Sequence, residues 1–298
     1  MKLSLVYVVQ DNLSDLKQHL SHNLSQLRGK FDLDCMIIDD GSVENIKQYI
    51  RLHFPDVRFL RNTFQEGFNE SLIKGLNGIN SDYVLVLDPA IRIDYCNLYK
   101  ICLDMKANGY FSTILPVNTH AANVPFFYHL LFKQGRLQIK HLLKKNVISD
   151  VAYVAISEAM IFDVKKYQLL KGINSTFFTP LYAFFDVIFH ASKLNWKSIK
   201  LFDCSLTKLT STKGFYSQIH LQDDVLRDEF SFIWLNIRSL RFLVTHFLSL
   251  FNVLFSFKVK HLKAFLVQAV MWPFIKKKRL SPIWSYHKDR DLLLQGKI

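Results

Sequence analysis

Glycine and proline are scarce in this chain, at 10 and 7 of 298 residues. That scarcity excludes collagen-like and low-complexity architectures, which depend on those residues. It also leaves no glycine-rich loop of the kind that cradles phosphates between a strand and a helix. The four cysteines, Cys35, Cys96, Cys102 and Cys204, are too few for a disulfide scaffold. None forms a CxxC pair, and no Cys/His grouping has zinc-site spacing. Cys35 opens the apolar run Cys35–Ile38 and reads as a buried, reduced thiol, which points to a reducing compartment. Long apolar runs are missing too. The longest uncharged one in the C-terminal tail, Phe242–Phe257, has 16 residues, short of the roughly 20 that a spanning helix needs. Ala264–Ile275 is shorter, and Pro273 interrupts it. Acidic residues are absent between Thr119 and Ser149, and again from Phe230 to Lys288.

What is present is apolar and basic. Half of the residues are hydrophobic and 14% are aromatic, enough burial to outweigh the ordering entropy that keeps polar chains disordered. The length suits one large domain or two modest ones. The start, MKLSLVYVVQDN, has one Lys and a short apolar run without a small-residue cleavage site, and reads as a first strand rather than a signal peptide. Over residues 3–117, strand-like and helix-like segments alternate. Leu3–Val9, Cys35–Ile38, Val57–Leu60 and Tyr83–Leu87 read as strands. Leu13, Leu16, Leu20, Leu24 and Leu27 recur at helical spacing, and residues 43–53 and Phe68–Leu76 also suit helices. This alternation predicts βαβ units and a parallel sheet. Ligands bind such sheets at the carboxyl ends of the strands, and those ends carry Asp39-Asp40 and Asp88. Residues 151–215 return to mixed elements, with Ala159–Phe162 strand-like and Tyr182–Leu194 helix-like.

The tail changes character. Between Phe230 and Lys288 ten Lys and Arg residues stand without a single carboxylate, in a chain whose formal charge is +13. Apolar runs too short to span, flanked by basic residues, predict amphipathic helices lying in the headgroup region of an anionic membrane. Trp234, Trp272 and Trp284 suit headgroup depth. Aliphatic and aromatic residues dominate over any charged stripe, so nucleic acid is not the expected partner.

Residues 3–117 resemble the donor-binding half of family 2 glycosyltransferases of the GT-A fold. The most specific match is Met36-Ile37-Ile38-Asp39-Asp40-Gly41-Ser42, similar to the family's "IIVVDDGS". Leu3–Asn12 takes the place of "SIVIPVYN", Gly67-Phe68 resembles "NxGFxxAxN", and Asp82–Pro89 resembles "DYILFLNPD". Further on, Glu158–Phe162 and Gly172-Ile173 are similar to "GGAMLFR…GGFDE". Arg227–Asn236 is similar to a segment after the catalytic core of some bacterial members. The resemblance implies an α/β, Rossmann-related nucleotide-binding sheet over residues 1–228 and a basic helical tail over 229–298. It also implies nucleotide-sugar binding through Asp39, Asp40, Gly67 and Asp88.

Several polar positions depart from that pattern together. Transfer from a nucleotide sugar builds negative charge on the departing diphosphate, which a divalent cation held by carboxylates neutralises. The Asp-x-Asp-like element reads Asp88-Pro89-Ala90, leaving Asp88 as the expected ligand of a magnesium or manganese ion. The family's acidic pair, which supplies the general base, falls in Pro180–Asp186, where Asp186 is the candidate. The later "HKHSST" is matched by Thr207–Thr212, without its histidines. Gln65 replaces the Asn of "NxG", and Asn174-Ser175 replace the Asp-Glu after "GGF". Glu158, standing where the family has Gly, and Lys208 are candidates to compensate, although a lone charge there is more often solvated. The expected function is glycosyl transfer to a glycan or lipid-linked acceptor by a peripheral protein at the inner, cytoplasmic face of the plasma membrane. The alternative is a catalytically silent relative that binds a partner enzyme or glycan.

Overall fold

The strand of apolar residues at the start becomes β1 (Lys2–Val9), buried on both faces at the middle of a largely parallel sheet. A computed structural model describes residues 1–119, 127–142, 149–152, 155–201, 204–208, 222–255, 259–277 and 289–293. After β1 come α1 (Leu13–Leu27), β2 (Asp32–Asp39), α2 (Ile46–His53), β3 (Arg58–Arg61), α3 (Phe68–Asn77) and β4 (Tyr83–Leu87). The chain then forms β5 (Ile91–Tyr95), α4 (Leu98–Asn108), β6 (Ser112–Ile114), β7 (Val117–Thr119), β8 (Phe127–Lys133) and β9 (Arg136–Leu142). Next are β10 (Ser149–Ala152), β11 (Ala155–Ile156), β12 (Ala159–Asp163), α5 (Val164–Leu169), α6 (Pro180–Lys193), β13 (Ser198–Leu201) and β14 (Ser205–Lys208). Four helices close the order: α7 (Gln222–Asn236), α8 (Leu240–Phe255), α9 (Val259–Lys277) and α10 (Asp289–Leu293).

Among the described residues the main sheet has eight strands in the order β10-β13-β6-β12-β4-β1-β2-β3. Strands β1 to β4 run parallel, and β12 lies antiparallel between β4 and β6. Because side chains alternate across a strand, β1 sends Leu3, Leu5, Tyr7 and Val9 to one face, against Leu16, Leu20 and Leu24 of α1. Val6 and Val8 point to the other face, against Leu72 of α3 and the aromatic-rich α6 and α7. The expected strands and helices are present, with ends shifted by one to three residues.

The boundary expected between residues 228 and 229 falls inside α7. Phe232, Ile233 and Leu235 of α7 are buried with Phe184, Phe185 and Phe189 of α6, so this helix belongs to the core of the preceding sheet. The aromatic, basic stretch before residue 150 includes the hairpin β8–β9, which turns through Gln134 and Gly135, both at positive φ. A Cβ on Gly135 would stand 2.2 Å from the Thr245 carbonyl oxygen, so α8 packs directly on that turn. Helix α9 continues through Pro273 rather than stopping there. Trp234 and Trp272 stack edge-on at the α7–α9 contact, so that each serves packing inside the protein. No helix among the described residues is long and apolar enough to cross a membrane.

Cys35 and Cys102 are buried free thiols, but Cys96 and Cys204 form a disulfide. The sequence offered no pairing signal, because the antiparallel contact of β5 with β14 brings together residues 108 apart. His120, Thr210–Thr212 and Trp284, and the basic residues Lys258, Lys278, Arg279 and Lys288, lie outside the described residues.

Candidate functional site

The carboxyl end of β2 delivers Asp39 and Asp40 into a tight turn. Asp39 is fully buried, and its Oδ1 accepts the Ser42 N–H at 2.8 Å. Its Oδ2 accepts no hydrogen bond among the described residues; the Arg61 guanidinium stands 3.4 Å from it. Arg61 is itself fixed by donating to the Ser42 carbonyl at 2.7 Å. Asp40 does different work. Its Oδ1 accepts from Asn62 Nδ2, Glu66 N and Ser71 Oγ, and its Oδ2 accepts from Gly67 N. Asp40, expected among the nucleotide-binding residues, therefore shapes the loop over residues 62–67 from inside. Gly67, at φ +95°, opens α3, and a Cβ there would meet open space. Gly41 is required more strictly: at φ +71°, a Cβ would lie 2.8 Å from the backbone at Phe64 and Gln65.

Two strands over, β4 leads into Asp88, which is fully buried and accepts the Ala90 N–H at 2.9 Å. Strand β12 begins beside it, and the Asp88 N–H donates to the Glu158 carbonyl. The end of β14 pairs with Ile91 and places Lys208 over the same spot. Its ammonium donates to both Glu158 oxygens, at 2.9 and 3.0 Å. Both side chains are nearly enclosed, at 12% and 13% exposure. Burial and the neighbouring Asp88 push the Glu158 carboxyl up to about 7, while Lys208 pulls the other way. Burial alone would lower the Lys208 ammonium, but Asp88 and Glu158 together outweigh it and hold the group above its usual range. Read singly, each charge suited solvent. The structure makes them a pair, because β12 and β14 bring together residues 50 apart.

The Asp186 expectation does not survive the structure. Asp186 sits mid-way along α6, buried against α7, where Asn236 Nδ2 donates to its Oδ1 at 2.7 Å. His190, one turn on, is 3.7 Å from the same oxygen. This is a helix–helix contact in the core, and a general base must reach an acceptor hydroxyl. Ala183, Phe184 and Phe185, where the family's acidic pair belongs, are apolar and buried, as is the first turn of α6. Asp228 of α7 ties that turn down instead. Its Oδ2 accepts the Thr179 N–H and hydroxyl, and its Oδ1 accepts the Phe178 N–H. Nothing in the sequence pattern had singled out Asp228 for this.

A turn holding a buried Asp at the end of β2, and a second Asp at the end of β4, match the arrangement that the sequence resemblance implied. The family described as glycosyl transferase family 2 matches residues 5–168, more than half of the chain. The chain belongs to that family. Structures of GT-A glycosyltransferases share its fold. GalNAc-T7, crystallised with UDP, GalNAc and Mn2+, gives a TM-score of 0.64 at 12% identity over 79% of this chain and 48% of that one. The Pyrobaculum calidifontis mannosyltransferase PcManGT, in complex with GDP-Man and Mn2+, gives 0.56 at 9% identity over 93% of this chain and 84% of that one. The S. aureus TarS 1-349 fragment, in complex with UDP-GlcNAc, gives 0.54 at 12% identity over 76% and 65%. At these identities the likeness is one of fold, and the chain spans less than half of the GalNAc-T7 chain. No curated protein matches it significantly.

Manganese in two of those structures raises the question of whether this family 2 glycosyltransferase has ligands for it. Ala90 offers no side-chain oxygen, and Asp88 Oδ1 already accepts a backbone N–H. The position beside them is taken by an ammonium. Among the described residues, no group of three or more His, Cys, Asp and Glu is placed to hold a metal ion. Among the described residues the donor set does not fit a divalent cation.

Proposed function

We propose that the chain binds a nucleotide sugar and transfers its glycosyl group to a glycan or lipid-linked acceptor at the cytoplasmic face of the plasma membrane. Asp39 carries this reading. A buried carboxylate at the carboxyl end of a parallel strand, with Oδ2 beside the Arg61 guanidinium but accepting no hydrogen bond among the described residues, is suited to a base N–H or a ribose hydroxyl. The nucleotides named with the fold relatives, UDP, GDP-Man and UDP-GlcNAc, support the donor class. In the transfer, the acceptor oxygen bonds to the anomeric carbon as the bond to the diphosphate breaks. The hydroxyl proton leaves to a base, and the negative charge stays on the nucleoside diphosphate.

The membrane part rests on α8. Its buried side carries Phe242, His246 and Leu250, while Leu240, Val244, Phe247, Leu248 and Phe251 are exposed at helical spacing on the opposite side. Arg238, Arg241, Lys260 and Lys263 are exposed, and they belong to a stretch of sequence without carboxylates. An apolar face on a basic helical segment complements an anionic bilayer surface.

Ala90 and the buried Asp186 favour a second reading, a silent relative that binds donor without turnover. Titration calorimetry with UDP and GDP tests the donor site. Wild type is expected to bind one of them, and Asp39→Ala to bind it at least tenfold more weakly, the loss of one charge-assisted hydrogen bond of about 1.5–3 kcal/mol. Equal affinities would remove Asp39 from the site, and no binding by wild type would remove the donor reading. Release of nucleoside diphosphate from the matching sugar nucleotide, in the presence of anionic lipid vesicles carrying candidate acceptors, then separates transfer from silent binding.

A further inference from the structure

The Lys208 ammonium has three N–H donors. Two reach the Glu158 oxygens, and the third has no acceptor among the described residues. Asp88 lies beside this pair, close enough to act on the charge of both. The cluster stands at the carboxyl ends of β4 and β14 and at the amino end of the antiparallel β12. Only β1 separates β4 from β2, which carries Asp39. Neighbouring strands are about 4.8 Å apart, so the two sites are separated by roughly 10 Å. The register sets them at nearly one height, since Val9 pairs with Asp39 while Val6 pairs with Val86, two residues before Asp88. A ligand held by its base or ribose at Asp39 would extend its diphosphate toward Lys208.

We infer that Lys208 is the resident cation for a nucleoside diphosphate in this chain, held by Glu158 and Asp88 and presented to the phosphate oxygens without a divalent metal. This rests on the nucleotide reading of Asp39 and adds the identity of the group that meets the diphosphate. A buried ammonium braced by carboxylates supplies what a bound metal ion otherwise supplies, a positive charge aimed at developing negative charge. A point charge with rotatable donors suits a diphosphate. Enclosure strengthens the interaction, because little water competes with it. The same charge repels a divalent cation, in keeping with the donor set already described.

Titration calorimetry of the full chain with UDP and GDP, and with uridine and guanosine, tests this in EDTA and again with Mn2+. Wild type is expected to bind a nucleoside diphosphate equally well under both conditions. Lys208→Met is expected to weaken the diphosphate at least tenfold while leaving the nucleoside within twofold. Lys208→Met alone strands a buried Glu158, so Lys208→Met/Glu158→Gln is the folding control, expected to melt near wild type and to show the same loss. Glu158→Gln, which keeps the ammonium, is expected to retain or improve diphosphate affinity. A tenfold or greater gain from Mn2+ in wild type would overturn the inference, as would diphosphate affinity unchanged in the folded double variant. Either result would leave the nucleotide reading in place. If neither UDP nor GDP binds wild type under any condition, both fall together.

Discussion

Arg136 and Glu229, 93 residues apart in sequence, form a two-pronged ion pair across the joint between the β8–β9 hairpin and α7. Arg136 Nε donates to Oε1 at 2.6 Å, and the Leu137 N–H donates to the same oxygen. Glu229 is only 4% exposed, so removing its charge leaves the guanidinium poorly compensated. Glu229→Gln is expected to destabilise the whole protein by about 3 kcal/mol. Urea denaturation would show one transition at lower midpoint. Loss confined to the C-terminal helices, with the sheet's transition unchanged, would count against this joint.

His246 gives a pH dependence. Its Nδ1 stands 2.8 Å from the Gly135 carbonyl, which can only accept, so the neutral ring donates from that nitrogen. Burial, with the Arg136 charge adding to it, holds its pKa below the ordinary 6.5, although the Gly135 hydrogen bond and Glu229 act against the shift. The unfolded chain therefore takes up a proton near pH 6.5 that the folded chain refuses until lower pH. Stability from this group is complete above about pH 6.5 and is lost as pH falls below it, by at most about 1.4 kcal/mol per pH unit. Urea midpoints between pH 5 and 8 should fall less steeply on the acid side in His246→Gln than in wild type. Parallel curves would contradict this.

The Cys96–Cys204 bridge ties the end of β5 to the start of β14, the strand that carries Lys208. Closing a loop of this length stabilises by about 2–4 kcal/mol through the unfolded state. Cys96→Ser should therefore melt lower than wild type in oxidising buffer and with it in excess dithiothreitol. Equal melting in both buffers would mean that the bridge contributes nothing.

The α8 stripe predicts peripheral binding. Wild type is expected to co-sediment with anionic phosphatidylglycerol vesicles and much less with neutral phosphatidylcholine, and salt should weaken but not abolish binding. Phe247→Glu/Phe251→Glu changes two exposed positions, at 52% and 58%, and should reduce binding at least fivefold without lowering the melting temperature. Undiminished binding by that variant would remove α8 from the contact.

The sequence by itself determined the sheet. The short apolar run Leu3–Val9, the leucines of α1 at three- and four-residue spacing, and the Asp39–Ser42 turn are local patterns, and local patterns can be read in one dimension. Residues 3–117 accordingly fold as expected, and Asp39 stands buried at the end of its strand. What only the tertiary structure decided concerns charges far apart in the chain. Asp186 looked like a base by its place after Pro180, yet the facing of α6 against α7 turns it toward Asn236. Glu158 and Lys208 looked solvated one at a time, yet pairing of β12 with β4 and of β14 with β5 encloses them together. The role of a charged side chain depends on the burial and partners around it. Those are set by which strands and helices meet, a long-range outcome that no short motif encodes.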